Sequence, residues 1–244
     1  MKKVLMIVYS FPPLNNPGAE RAVSFVKLLH NYGWEPLVLT REVNIGISHG
    51  SEVKSILEGV DIVRTNPWEP DSLPRFIRAA ARFASALLIP DKERLWELFS
   101  AGKAARMAKY EGIDLVYTVS PPTSAHLIGL RLKKKHPGIP WVADLCATRT
   151  SSSISPVKPA SSVHFSPSVK ERYEKKLLGR IADRADCIVT GDETVLEFFK
   201  ASQSDINHEG TACLVPDGHV QELSELFEKA CRAIAARKLN NNQQ

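Results

Sequence analysis

The chain has 244 residues, 43% of them hydrophobic, 24% charged and 7% aromatic. That is the composition of an ordinary globular protein and argues against disordered, collagen-like and disulfide-scaffold classes. Lys and Arg outnumber Asp and Glu by 32 to 27, a net charge of +5. This excess is too mild to imply a nucleic-acid partner, and it suits work beside anionic lipid or phosphorylated substrates.

The length fits one large domain or two small ones. No apolar run approaches the ~18 residues that a membrane-spanning helix needs. The run Val4-Leu5-Met6-Ile7-Val8 behind Lys2-Lys3 imitates a signal peptide, but it meets Phe11-Pro12-Pro13 too soon, so the start reads as that of a mature cytosolic protein. Cys146, Cys187, Cys213 and Cys231 are widely spaced and form no CxxC pair. They read as reduced thiols, and no metal is expected.

Taken in chain order, short β-branched runs alternate with longer amphipathic ones. Periodicity predicts a strand over 4–9 and a helix over 20–32 that turns Val23, Phe25, Val26, Leu28 and Leu29 toward a sheet. Strands follow over 36–40 and 60–64, a helix over 95–110, a strand over 115–120 and a helix over 123–135 stopped by His136-Pro137-Gly138. A strand over 139–144, a charged helix over 168–182, a strand over 187–190, a short helix over 195–200, a strand over 211–215 and a helix over 221–237 complete the series. Strands apolar on both faces and separated by helices imply an α/β fold: a single doubly wound Rossmann-like domain with a six- to seven-stranded, mostly parallel sheet. It is expected over 1–218, with a helix and polar tail over 219–244.

In such sheets ligands bind outside the carboxyl ends of the strands, which directs attention to the loops there. The loop after the first strand opens its helix at about Gly18, where a backbone amide can approach a phosphate under the helix dipole. It reads equally as a stiff surface turn, since neither GxGxxG nor a Walker lysine is present. In Ser120-Pro121-Pro122-Thr123-Ser124-Ala125-His126, Thr123 is a reasonable N-cap and His126 falls in the first helical turn. The dipole there favours a neutral imidazole able to hydrogen-bond a sugar hydroxyl or phosphate oxygen; a structural histidine fits the same pattern. Asp144 ends its strand as a ligand contact or a loop cap. The serine-rich stretch over 145–167 reads as a flexible loop. Arg75, Arg78 and Arg82, at helical spacing beside apolar residues, read as a membrane-facing helix or as the solvated face of a packed one.

Together these loops form a recognisable set: Tyr9-Ser10-Phe11-Pro12-Pro13, Gly18-Ala19-Glu20-Arg21, Gly33-Trp34-Glu35-Pro36, Ile89-Pro90-Asp91 with Trp96, Ser120 to Gly129, Trp141-Val142-Ala143-Asp144-Leu145, and Ala185 to Thr190. Over about residues 1–200 the chain resembles the N-terminal, acceptor-binding domain of GT-B-fold glycosyltransferases of family four. The resemblance implies retaining transfer of a sugar from a nucleotide-sugar co-substrate to a cell-surface or lipid-linked glycan, as in polysaccharide biosynthesis, with no cofactor and no metal. It implies that His126 is catalytic, lining the reaction site against the transferred sugar. Gly18, Ala19, Glu20 and Arg21 would lie near the donor phosphate and sugar, and Asp144, Thr123 and Ser124 would serve the acceptor or its loop.

Two departures stand out. After Asp144 the chain reads Cys146-Ala147-Thr148-Arg149 where the family has an Arg-Asp-Pro-Trp-like segment. The family's second, nucleotide-binding domain has no counterpart after Gly218. Catalysis by the chain alone is therefore not expected; a donor domain on a separate polypeptide would complete the site, in the cytoplasm or at the inner face of the plasma membrane. The alternative is a non-catalytic glycan-binding or scaffold protein, or a truncated remnant.

Overall fold

The described chain carries seven strands and five helices, and every strand pair is parallel. The structure, a computed structural model, describes residues 1–14, 17–43, 59–66, 94–145, 167–193, 196–197, 211–216 and 218–241. The loop expected over 145–167, the arginine segment with Arg75, Arg78 and Arg82, and most of the helix expected over 195–200 lie outside those residues.

The strands are β1 (Lys2–Val8), β2 (Trp34–Arg41), β3 (Asp61–Thr65), β4 (Leu115–Val119), β5 (Trp141–Asp144), β6 (Cys187–Thr190) and β7 (Thr211–Leu214). The helices are α1 (Pro17–Leu29), α2 (Arg94–Tyr110), α3 (Ala125–Lys135), α4 (Pro167–Arg184) and α5 (Val220–Asn241). Boundaries sit within a few residues of those the periodicity predicts, apart from the C-terminus of α5, which runs on to Asn241. After α1 the chain tightens into a 3-10 turn over His30–Tyr32 that ends at Gly33 with φ +82°. This left-handed conformation is cheap only for glycine, and it swings the chain straight into β2.

The sheet order is β3-β2-β1-β4-β5-β6-β7. From β1 the chain winds outward to β3, then returns beside β1 as β4 and winds the other way. The order therefore reverses between β1 and β4, where a doubly wound sheet opens its crevice. Two of the loops singled out in the sequence, those holding Gly18 and Ser120–His126, leave those two strands.

Side chains alternate along each strand and divide the core into two layers. Val4, Met6, Val8, Leu115, Tyr117 and Val142 face α1 and α5, packing on Phe25, Val26, Leu223 and Phe227. Leu5, Ile7, Val116, Trp141 and Ala143 face α2, α3 and α4, among them Trp96, Ile128 and Ile181. On α1 the buried stripe is Ala22, Phe25, Val26 and Leu29, the i, i+3, i+4, i+7 pattern, with Val23 partly buried beside it. Leu28, expected against the sheet, falls between those positions and is 40% exposed.

Helix α3 approaches the sheet closely because residue 129 is glycine. A Cβ there would lie 2.4 Å from Cε2 and Nε1 of the buried Trp141 indole. Gly129→Ala is therefore expected to destabilise the domain by about 1–3 kcal/mol or more through overpacking, read as a lower urea midpoint with an altered near-UV signal from Trp141. Unchanged values for both would show that the helix can withdraw freely. Among the described residues no helix is long and apolar enough to cross a membrane.

Candidate functional site

Two buried polar clusters flank β4 at the carboxyl end of the sheet, one on each face. On the α1 and α5 face, Asp144 at the end of β5 is fully buried. Its Oδ2 accepts hydrogen bonds from Arg21 Nε at 2.8 Å and from the Tyr117 hydroxyl, and its Oδ1 accepts from Arg21 Nη2 at 3.3 Å. The same Nη2 donates to the Val215 carbonyl at 2.9 Å, and the guanidinium carbon lies 4.8 Å from the centre of the Phe25 ring. Arg21, read from the sequence as a donor-phosphate contact, is thus engaged inside the domain. It ties the first turns of α1 to β5, β4 and the segment after β7. Gly18 and Ala19, immediately before it, are buried, whereas Glu20 is exposed.

On the α2 and α3 face, His126 is fully buried. Its Nδ1 lies 2.7 Å from Thr118 Oγ1, and that oxygen accepts a hydrogen bond from Trp141 Nε1 at 2.9 Å. Burial pushes the imidazole down to about 3, so the ring is neutral at physiological pH. Its Nε2 has no hydrogen-bond partner among the described residues; neither does the buried Ser124 Oγ two residues earlier. Buried polar groups are ordinarily paired, so two orphans in one helical turn call for a ligand or bound water.

The start of α3 differs from the sequence expectation. The N-cap is Ser124, not Thr123, and it makes no side-chain capping bond. The backbone closes the turn by itself: the amides of Ala125, His126 and Leu127 donate to the carbonyls of Pro122, Thr123 and Ser124 at 3.0–3.1 Å. With those donors satisfied, a threonine cap has nothing left to bond. Thr123 is half-buried and His126 sits one position nearer the helix start than expected.

A third group surrounds the β1 loop. Arg41 Nη1 donates to the Tyr9 hydroxyl at 3.0 Å, Arg64 Nη2 donates to the Pro12 carbonyl at 2.7 Å, and Tyr9 packs edge-on against Trp96. Arg64 is exposed, and its pKa is lowered by partial desolvation.

The structure therefore brings Arg21 and Asp144 together, sets His126 and Ser124 in a separate cluster across the sheet, and leaves Glu20 at the surface. Tyr117, Thr118 and Trp141 were not anticipated as polar partners. Thr118 carried a signal, since a hydroxyl in the buried strand Leu-Val-Tyr-Thr-Val must find a hydrogen bond. Among the described residues no group of three or more His, Cys, Asp or Glu is placed to hold a metal ion.

No protein-family model matches the chain, and no curated protein matches its sequence. Solved structures do match its fold. Sucrose-phosphate synthase from Thermosynechococcus elongatus is similar with a TM-score of 0.52 at 13% identity, over 93% of this chain and 98% of that one. The fold matches one Rossmann-like half of the GT-B architecture. Anabaena HepE in complex with UDP-glucose aligns at a TM-score of 0.48 and 13% identity, over 89% of this chain and 44% of that one. Phytolacca americana UGT2, complexed with UDP-2-fluoro-glucose and pterostilbene, aligns at 0.48 and 12%, over 88% and 52%. The chain spans about half the length of these last two proteins. In this fold, the β1 and β4 loops occupy the sheet's switch point.

Proposed function

We propose that this domain is the acceptor-binding half of a family-four-like, retaining glycosyltransferase, acting on a cell-surface or lipid-linked glycan with a nucleotide-sugar donor held by a second domain. The sequence resemblance and the GT-B half-fold support the class. The observation that carries the site is the pair of buried, unpartnered groups, Ser124 Oγ and His126 Nε2, in the first turn of α3 beside the switch point.

In this reading His126 contacts the transferred sugar. The backbone near Gly18 faces the donor diphosphate and steadies the charge that builds on the departing phosphate. Arg21 and Asp144 hold that backbone in place from inside the domain. A cleft between this half and a donor half would align the two substrates. The basic balance of the chain suits an anionic membrane surface carrying the acceptor.

The test is turnover of a nucleotide-sugar panel by the purified chain with membrane lipid extract as acceptor, repeated with a co-expressed donor domain. Transfer is expected only with the donor domain. His126→Ala should lower it roughly tenfold or more, the cost of one buried hydrogen bond to a reacting group. Turnover unchanged in His126→Ala would remove His126 from the site. Glycan binding with no transfer under either condition would favour a non-catalytic binding protein.

A further inference from the structure

We propose that Thr118, itself held by Trp141, is a positioning residue that keeps His126 in the Nε2–H tautomer, so that His126 presents a hydrogen-bond donor, and not a base, to an acceptor oxygen of the bound ligand. The relay rests on geometry alone, whereas its use toward a ligand rests on the function proposed above.

The proton count decides the tautomer. Trp141 Nε1–H can only donate, and its acceptor is Thr118 Oγ1 at 2.9 Å. Thr118 Oγ1 also lies 2.7 Å from His126 Nδ1, and either atom can supply that proton. If the hydroxyl donates, Nδ1 accepts, Thr118 is satisfied, and the one unmet group is the Nε2–H donor. If Nδ1 donates instead, Thr118 Oγ1 accepts twice and its own proton has no acceptor among the described residues, while the Nε2 lone pair is unmet as well. The first arrangement leaves one buried polar group unsatisfied and the second leaves two. Each orphan costs about 1–3 kcal/mol, so the first prevails.

The relay is also mechanically fixed. Thr118 is paired in register with Ile7 of β1 and Ala143 of β5, at the centre of the sheet. The Trp141 indole is clamped by α3 where Gly129 leaves no room for a Cβ. Neither partner of the hydroxyl can rotate away without disturbing the core. An Nε2–H donor in this turn selects ligand atoms that accept, meaning hydroxyl, ether or phosphate oxygens, over groups that only donate.

The tautomer can be read directly from the imidazole nitrogens of His126 in long-range proton–nitrogen NMR spectra of the full chain, with no ligand present. The wild type should show a protonated Nε2 and a bare Nδ1. Thr118→Ser, which keeps the hydroxyl, should preserve that pattern. Thr118→Val should lower the ratio of Nε2–H to Nδ1–H about five- to tenfold, the effect of losing one net hydrogen bond. A protonated Nδ1 in the wild type overturns the proposal and needs no variant to fold. A ratio unchanged in Thr118→Val overturns the role of Thr118. Loss of transfer or ligand contact with the tautomer intact would count against the proposed function and leave the relay standing.

Discussion

Asp144→Asn and Arg21→Met are each expected to destabilise the domain by about 3–5 kcal/mol, the range for removing one partner of a buried ion pair. The Arg21 and Asp144 side chains are 1% and 0% exposed, so water cannot replace the lost partner. Asparagine at 144 keeps the shape but leaves the guanidinium charged and unmatched. Methionine at 21 leaves a buried carboxylate that keeps the Tyr117 hydroxyl as a donor but loses its cation. The geometry also couples distant parts of the chain, because Arg21 reaches Asp144 across 123 residues and the Val215 carbonyl across 194. Losing it frees the start of α1 as well as the carboxyl end of the sheet.

The double variant Arg21→Met with Asp144→Leu should recover much of the loss, since well-packed apolar replacements of buried pairs are often near neutral. Urea unfolding should show a lower midpoint at an unchanged slope for the single variants. Single-variant losses below about 1 kcal/mol would mean that the cluster is solvated in solution and does not organise the β1 loop.

The second large effect concerns acid. His126 is pushed down to about 3 by burial, from the ordinary 6.5. Above pH 6.5 the folded and unfolded chains both hold this ring neutral, and it contributes no pH dependence. Between 6.5 and about 3 the unfolded chain binds a proton that the folded chain refuses, so stability falls as pH falls. At about 1.4 kcal/mol for each pH unit, the loss reaches about 4–5 kcal/mol by pH 3. His126→Gln, neutral throughout, should remove this slope and leave the acid losses of other groups in place. Direct titration of the His126 ring by NMR checks the same point in the wild type. A midpoint near 6.5 would show that water reaches the ring and that Nε2 is not an orphan.

The two predictions concern opposite faces of one strand. Tyr117 turns toward Asp144, and Thr118, next in the chain, turns toward His126. A change in the register of β4 would exchange the two side chains between layers. Both clusters thus depend on the pairing of β4 with β1 and β5.

The sequence by itself determined the elements and their class. Apolar runs such as Val4-Leu5-Met6-Ile7-Val8 and Leu115-Val116-Tyr117 have no polar face to offer water, so they must be inner strands. The helices between them force parallel crossovers. That the β1 and β4 exits flank the switch point was legible for the same reason, since the place where a doubly wound sheet opens its crevice is set by topology. Leu28 and the start of α3 were misjudged locally: a shift of one position along a helix turns a side chain by about 100°, and a backbone turn at Pro122–Ser124 did the work expected of a cap.

Only the tertiary structure decided which polar groups meet. Nothing near Arg21 in sequence points to Asp144, and nothing near His126 points to Trp141. Those contacts arise from strand order, register and the close approach of α3 that Gly129 permits. Periodicity reports which face of an element is buried, because burial acts residue by residue along the chain. A hydrogen bond or ion pair depends on two positions at once, and their separation is settled only when the whole sheet has been assembled.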